Sequence, residues 1–173
     1  MPEITLIDAT FELIDAACRG DDALAAALGA EIAAGWLEFP EALDMMRGDY
    51  ENSPAARRWG TLFFVAGSPR RLIGWGGYKG APKDGAVEIG YAIAPGERGK
   101  GYATAAAQAM VARAFAAPEI SAVTAHTLAE ENASTSVLKK TGFDKVSDFI
   151  DPEDGPVWGW RLERAVAERR PEN

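Results

Sequence analysis

Apolar positions fall into two regimes along the chain. From Thr61 onward they read as strands. Thr61–Ala66 (TLFFVA) is an unbroken apolar run of strand length, followed by the turn residues Gly67-Ser68-Pro69. Arg71–Tyr78 (RLIGWGGY) is a second strand interrupted by three glycines, a spacing that suggests a hairpin with a bulge. Ala86–Ala94 (AVEIGYAIA) is a third. Gly101–Ala117 is dense in alanine, the best helix former, and Pro118 stops it. Ile120–Leu128 is a strand. Asn132–Thr141 is a helix, N-capped by Asn132 or Ser134 and closed by Gly142. Phe143–Ile150 and Val157–Glu163 are the last two strands.

Before Thr61 the pattern is mainly helical. Glu3–Asp8 alternates as an opening strand. Ala9–Ala30 offers Leu13, Ala17, Leu24 and Leu28 for an apolar face, with a break at Gly20-Asp21. Gly35–Pro40 (GWLEFP) is a loop carrying two aromatics, and Pro40–Tyr50 a short helix beginning at proline. Asn52-Ser53-Pro54 marks a further turn or capped start. The order β-α-α-(α)-β-β-β-α-β-α-β-β predicts an α+β fold around one mixed sheet of about seven strands. No repeat or linker divides it, so one domain is expected over 1–167, with 168–173 a flexible tail.

Composition narrows the function. The 173 residues are 47% hydrophobic and 25% charged, enough for a buried core without a staple. Cys18 stands alone, which excludes an internal disulfide and a cysteine zinc site; it is expected as a small core residue. With one histidine, a His-rich metal site is excluded as well, so no metal is expected. No apolar run approaches the roughly 20 residues of a membrane span. The opening MPEITLID has neither the basic nor the apolar region of a secretory signal, so a cytoplasmic protein is expected. The net charge of −8 argues against nucleic-acid binding. Residues 1–60 hold twelve acids and four bases, and the remainder fourteen of each. All of the net charge therefore belongs to the first third, as a solvated face or as a wall that attracts a cationic partner.

The stretch Ala94-Pro95-Gly96-Glu97-Arg98-Gly99-Lys100-Gly101-Tyr102-Ala103-Thr104 sits between a strand and a long helix. Gly99 and Gly101 free the backbone for positive φ, and the helix start adds unpaired N–H donors and the positive end of its dipole. Arg98 and Lys100 add two cations, and Ala103 keeps the first turn slim. The combination suits a phosphate or pyrophosphate. It is not a Walker loop, because Ala94 stands where the first glycine belongs and Gly101 follows the lysine. It is not a dinucleotide fingerprint, because Thr104 occupies the third glycine position.

In these residues the chain resembles the GNAT family of N-acetyltransferases. Arg98-x-x-Gly101-x-Ala103 matches that family's Arg/Gln-x-x-Gly-x-Gly/Ala loop. Val87–Pro95 looks like the strand before it, and Glu130–Phe143 like the family's second coenzyme segment. The resemblance is closest to the Rim-type branch, which includes ribosomal-protein N-terminal acetyltransferases. It implies the GNAT fold, with strand Glu88–Ala94 splayed from strand Ile120–Leu128, and acetyl-CoA as co-substrate. The pantetheine arm would lie in that gap and pair with backbone near Ile93 and Ala94. The pyrophosphate would sit on Arg98, Gly99, Lys100, Gly101, Tyr102 and Ala103, with Thr104 as a hydroxyl donor. Asn132, with Ser134 or Ser136, would reach the coenzyme from the other side, although Asn132 also reads as a plain N-cap. Many members place a tyrosine acid midway along this helix, where this chain has Leu138. The partner implied is an amine-bearing acceptor, small molecule or protein N-terminus, and the chain a monomer or homodimer.

Acetyl transfer needs a neutral amine and therefore a base. Glu88 is the first candidate, with Gly90 and Ala92 on its face of the strand leaving room for substrate; the bland alternative is a pair with a surface cation. His126 is the rival base or relay, or else a histidine bonded to backbone. Ser147, Tyr78 and Tyr91 are weaker proton donors. Amides near Ile93 and Ala94 are candidates to hold a developing oxyanion. Trp36 and Phe39, on a loop that the resemblance puts beside the acceptor groove, join Trp75 and Tyr91 as acceptor contacts. A catalytically silent acyl-CoA-binding module is the alternative from another class.

Overall fold

The alternation of the sequence decides the layers. The computed structural model describes residues 1–170. Strands β1 (Ile4–Asp8), β3 (Thr61–Ala66), β4 (Arg71–Tyr78), β5 (Ala86–Ile93), β6 (Ala122–Leu128), β7 (Asp144–Asp151) and β8 (Gly155–Glu163) form one sheet in the order β1-β3-β4-β5-β6-β8-β7. Neighbours are antiparallel except β5 and β6. These are the about seven strands expected, and an additional two-residue strand off that path, β2 (Glu31–Ile32), pairs in parallel with Arg71 and Leu72 of β4. Two residues carry too little pattern to be read as a strand.

Helices α1 (Phe11–Arg19), α2 (Asp21–Leu28) and α3 (Ala42–Asn52) cover one face of the sheet. Ile14, Leu24 and Met46 meet Phe63, Val65 and Leu72 there. The break at Gly20 is real, with φ 123°. The other face carries α4 (Tyr102–Phe115) and α5 (Ala133–Thr141). Met110, Ala114 and Leu138 pack there against Leu62, Phe64, Val87, Ile89 and Ile93. Leu138 is fully buried in that core, so nothing at its position faces a ligand.

The expected bulge lies between Phe64 and Val65, which pair with Gly74 and Leu72 and leave Ile73 as the extra residue. Its carbonyl accepts from the Ala94 amide at 2.8 Å. The slim glycines of β4 matter for the same contact, because a Cβ at Gly74 would collide with the Ala92 carbonyl. Cys18 is exposed rather than in the core, on the outer side of α1. Among the described residues no helix is long and apolar enough to cross a membrane.

A last helix, α6 (Arg164–Ala167), was not read from the sequence, since four residues show no periodicity. Glu168–Arg170 extend it with backbone bonds to Arg164, Val166 and Ala167. The rest of the expected tail, 171–173, lies outside the described residues. Arg164 fastens this end. Its guanidinium donates to the carbonyls of Phe115 and Ala117 at 2.7 Å and, through Nε, to that of Ile120 at 2.9 Å. A cation there also suits the negative end of the α4 dipole. Arg164→Met should leave these carbonyls unpaired and cost about 2 kcal/mol. Urea unfolding checks this: an unchanged midpoint would show that the clamp does not contribute.

Candidate active site

β5 and β6 are bonded only over Ala86–Glu88 and Ala122–Thr124. Beyond Thr124, β6 continues beside β8 alone, and beyond Glu88, β5 continues beside β4 alone. A gap opens between them. Along β5 the Glu88 carbonyl accepts from Lys79 N–H at 2.9 Å and the Ala94 amide donates to Ile73. Antiparallel alternation therefore aims the backbone groups of Tyr91 and Ile93 into the gap. The Ile93 carbonyl accepts from Arg98 Nε at 3.0 Å. This corrects the pairing of Ile93 with Ala94 as amide donors. The Ala94 amide is bound to β4, and Tyr91 takes its place beside Ile93.

After β5 comes the turn Pro95–Glu97 and then the glycine loop. Gly99 has φ 75° and Gly101 φ 85°, the left-handed values that both glycines were expected to supply. No side chain caps α4, so the amides of Tyr102, Ala103 and Thr104 open the helix without intrahelical partners. A Cβ at Gly101 would meet the Pro2 ring at 3.2 Å rather than intrude on the cradle. Gly101 is therefore required for its φ and not for clearance. Lys100 differs from expectation. Its ammonium sits 2.8 Å from the buried Glu97 carboxylate, which also pairs with Arg71 at 3.1 Å. These bonds, first that from Lys100 and then that from Arg71, hold Glu97 below the usual carboxylate range. Lys100 thus anchors the loop, and Arg98 is the cation whose side chain reaches the gap.

Across the gap, Asn132 caps α5, with Oδ1 accepting from Thr135 N–H at 3.0 Å and Thr135 Oγ1 accepting in return from the Asn132 amide. Ser134 offers its carbonyl to the Tyr91 hydroxyl at 3.5 Å, and Ser136 is exposed.

The two candidate bases meet. Glu88 ends the paired stretch of β5, and His126 lies two residues beyond its partner Thr124 on the same face of β6. Glu88 Oε1 is 2.9 Å from His126 Nδ1 and 2.7 Å from Lys79 Nζ. Glu88 thus has the surface cation of the bland alternative, and the same oxygen also meets the rival candidate base. Burial raises the carboxyl, but the hydrogen bonds from His126 and Lys79 outweigh it and leave Glu88 below its ordinary range. With Nδ1 donating to Glu88, a neutral imidazole keeps its lone pair on Nε2. The ring stands edge-on to Phe149, centroids 5.6 Å apart, over Gly159, where a Cβ would collide with Ser147 and touch Nε2. Tyr78 is no proton donor: its buried hydroxyl donates to the Met110 carbonyl at 2.6 Å, and burial pushes its phenol up. Burial pushes Tyr91 up to about 12.

A cavity of about 550 Å³ opens between α3 and the β4–β5 floor on the face that bears Glu88. Of the four expected acceptor contacts, Trp75 and Tyr91 line it. Trp36 and Phe39 do not. Trp36 is buried in the core, edge-on to Phe63, with Nε1 donating to Asp21 Oδ1 at 3.2 Å. Phe39 is 57% exposed on a loop that begins against Pro95, away from the cavity. The residues that sequence reading missed come from α3 and its C-cap: Met45, Met46, Asp49 and Tyr50, followed by Ser53, share one face at helical spacing. That spacing was visible, but nothing in it said which side faced a cavity. The Trp75 indole N–H is buried without an acceptor among the described residues.

Among the described residues, three of the twelve acids of the first third are held in ion pairs. Asp8 pairs with Arg113, Asp15 with Arg19 and Arg47, and Glu31 with Arg71. Only Asp49 of its carboxylates lines the cavity. No group of three or more His, Cys, Asp or Glu that could hold a metal ion occurs among the described residues.

Comparison with known proteins agrees with this geometry. The family model of the acetyltransferase (GNAT) domain matches residues 13–144. The chain belongs to the GNAT family. It is 29% identical over 134 residues to the uncharacterized N-acetyltransferase YjdG of Bacillus subtilis (strain 168), covering 76% of this chain and 80% of that protein. Two solved structures share the fold. A spermidine N-acetyltransferase SpeG chimera from Vibrio cholerae and hSSAT superposes with a TM-score of 0.70 at 16% identity, over 96% of this chain and 99% of that one. The aminoglycoside acetyltransferase AAC(6')-Ib in complex with coenzyme A gives 0.66 at 18% identity, over 96% and 98%.

As a GNAT acetyltransferase, this chain is an acyltransferase with acetyl-CoA as co-substrate. The residues present fit that molecule: a glycine loop with free amides suits a pyrophosphate, and a splayed strand offers backbone groups to an amide-bearing arm. Gly101→Val should abolish coenzyme binding while the chain still folds, because a β-branched residue cannot hold the left-handed φ that turns the loop amides inward. Calorimetry with coenzyme A checks this; near-normal affinity would show that the loop does not carry the phosphates.

Proposed function

We propose that this GNAT enzyme transfers the acetyl group of acetyl-CoA directly to a primary amine, with His126 as the base and Glu88 as the carboxylate that orients it. The observation that carries this reading is the 2.9 Å contact between Glu88 and His126 Nδ1 where β5 and β6 part, beside the cavity. A peptide N-terminus, a polyamine, an amino acid or a drug amine each brings the same ammonium to that point. The first is the chemistry of the Rim-type branch, and the names of the two solved structures point to spermidine and aminoglycosides as acceptors of those proteins.

The thioester supplies the electrophile when bound. The chain's own residues do the rest. His126 Nε2 takes a proton from the incoming ammonium, directly or through one water. Glu88 fixes the tautomer and stabilises the imidazolium that results. The Tyr91 and Ile93 amides are the donors available to a carbonyl oxygen in the gap. Lys79 keeps Glu88 ionised, so the carboxylate is charged at every pH above its lowered value and its own titration falls on the acid side of the working range.

Glu88→Gln should lower kcat by roughly 10²-fold with little change in coenzyme affinity, and His126→Ala by a similar factor. Because the two act as a unit, the double variant should be no slower than about the slower single. Thiol release on a good acceptor checks all three. Multiplicative losses in the double variant would separate the roles, and an unchanged His126→Ala rate would hand proton removal to Glu88 or water. Coenzyme binding without turnover on any amine would favour a silent acyl-CoA-binding module.

A further inference from the structure

Building on the transfer reading above, we infer that the acceptor is a small primary amine carried on one aromatic or bulky alkyl group, with a single positive charge. The cavity beside Glu88 has the volume of a small-molecule site, about 550 Å³. Its walls are apolar and aromatic: Met45, Met46 and Tyr50 from α3, Trp59, and Trp75 with Tyr91 from the floor. Gly76, Gly77 and Gly90 border it as bare backbone, and a Cβ at Gly76 or Gly77 would collide with the Gly90 or Gly60 carbonyl. Trp59 is held rigid, edge-on to Tyr78 at 5.0 Å. Rigid aromatic walls around an open volume match a flat or branched apolar body, whose transfer from water is worth roughly 25 cal/mol per Å² buried.

Charge in the cavity is scarce and of both signs. Asp49 and Lys79 are the only ionisable acid and base among its lining side chains. Asp49 is exposed on α3, where it can guide one ammonium. Lys79 lies with its stem against Gly90 and its ammonium on Glu88, so it links the apolar chamber to the Glu88–His126 pair. A further cation, Arg57, lies over the Tyr50 ring at 5.4 Å. A polyamine or an aminoglycoside would bring several ammonium groups into walls that offer one carboxylate, Asp49, beside a Lys79 already paired with Glu88. Each unpaired charge held there loses its hydration without compensation. The cavity therefore selects against polycations and for an apolar body behind one amine.

The test compares kcat/KM by thiol release for phenethylamine, a tetrapeptide beginning with Phe, spermidine and kanamycin. Phenethylamine is expected to exceed both polycations by at least about tenfold. Met45, which is 54% exposed and tolerant of change, is then replaced: Met45→Glu should reverse the order, lowering phenethylamine about tenfold and raising spermidine. A peptide that outruns the free amine would support the inference and place the apolar group on a polypeptide's first residue. Spermidine or kanamycin as the better substrate of the unmodified enzyme would overturn it. Calorimetric binding of phenethylamine to the coenzyme-saturated protein without thiol release would support the cavity's chemistry and overturn the transfer reading instead.

Discussion

Three residues on each side hold β5 to β6, and the arrangement of the site depends on how soon that parallel ladder stops. Had it continued, the amides of Tyr91 and Ile93 would be bonded to β6 and closed to any ligand. Stopping it strands buried polar backbone, which is unfavourable unless something else satisfies it. The protein meets that cost from both flanks. On one side β4 binds every second group of β5, including Ala94 through the bulged Ile73. On the other, Arg98 reaches back to the Ile93 carbonyl. The splay is thus a supported opening in a stiff sheet, with α4 and α5 packed beneath it.

Much of this was legible. Apolar runs bounded by turn residues, with alternation at Glu3–Asp8, located the strands of the main sheet, and alanine density with Pro118 located α4. The glycine loop was readable because positive φ leaves a mark in composition at Gly99 and Gly101. What escaped was pairing information. β2 exists only because Arg71 and Leu72 extend past the end of β5, which no local pattern records. Trp36 and Phe39 share one short loop and read alike. Only the fold sends the first into the core against Phe63 and leaves the second in solvent. Lys100 looked like a ligand for phosphate because Glu97, three residues earlier, was not weighed as its partner. The α3 face was visible as spacing, but which of its sides meets the strand floor is a tertiary fact.

The alternatives weighed for Glu88 and Asn132 did not exclude each other. Glu88 binds Lys79, as a surface carboxylate would, and by the same oxygen holds His126. Asn132 caps α5 with its side-chain oxygen while its amide nitrogen lies 3.5 Å from Glu130. In both cases the structural bond fixes a rotamer, and a fixed rotamer is what a working group needs.

The five tryptophans are sorted by the same geometry. Trp36 donates to Asp21 and Trp160 to Thr127 at 2.9 Å, each in a permanent bond within the protein, and Trp158 lies under the Lys145 ammonium at 4.0 Å. Trp59 and Trp75 alone border the cavity, and Trp75 has no partner for its indole N–H. A ligand in the chamber would lie against those two rings and away from Trp36 and Trp160, which are buried and hydrogen-bonded elsewhere. Intrinsic emission would then report occupancy of the chamber from two of the five rings.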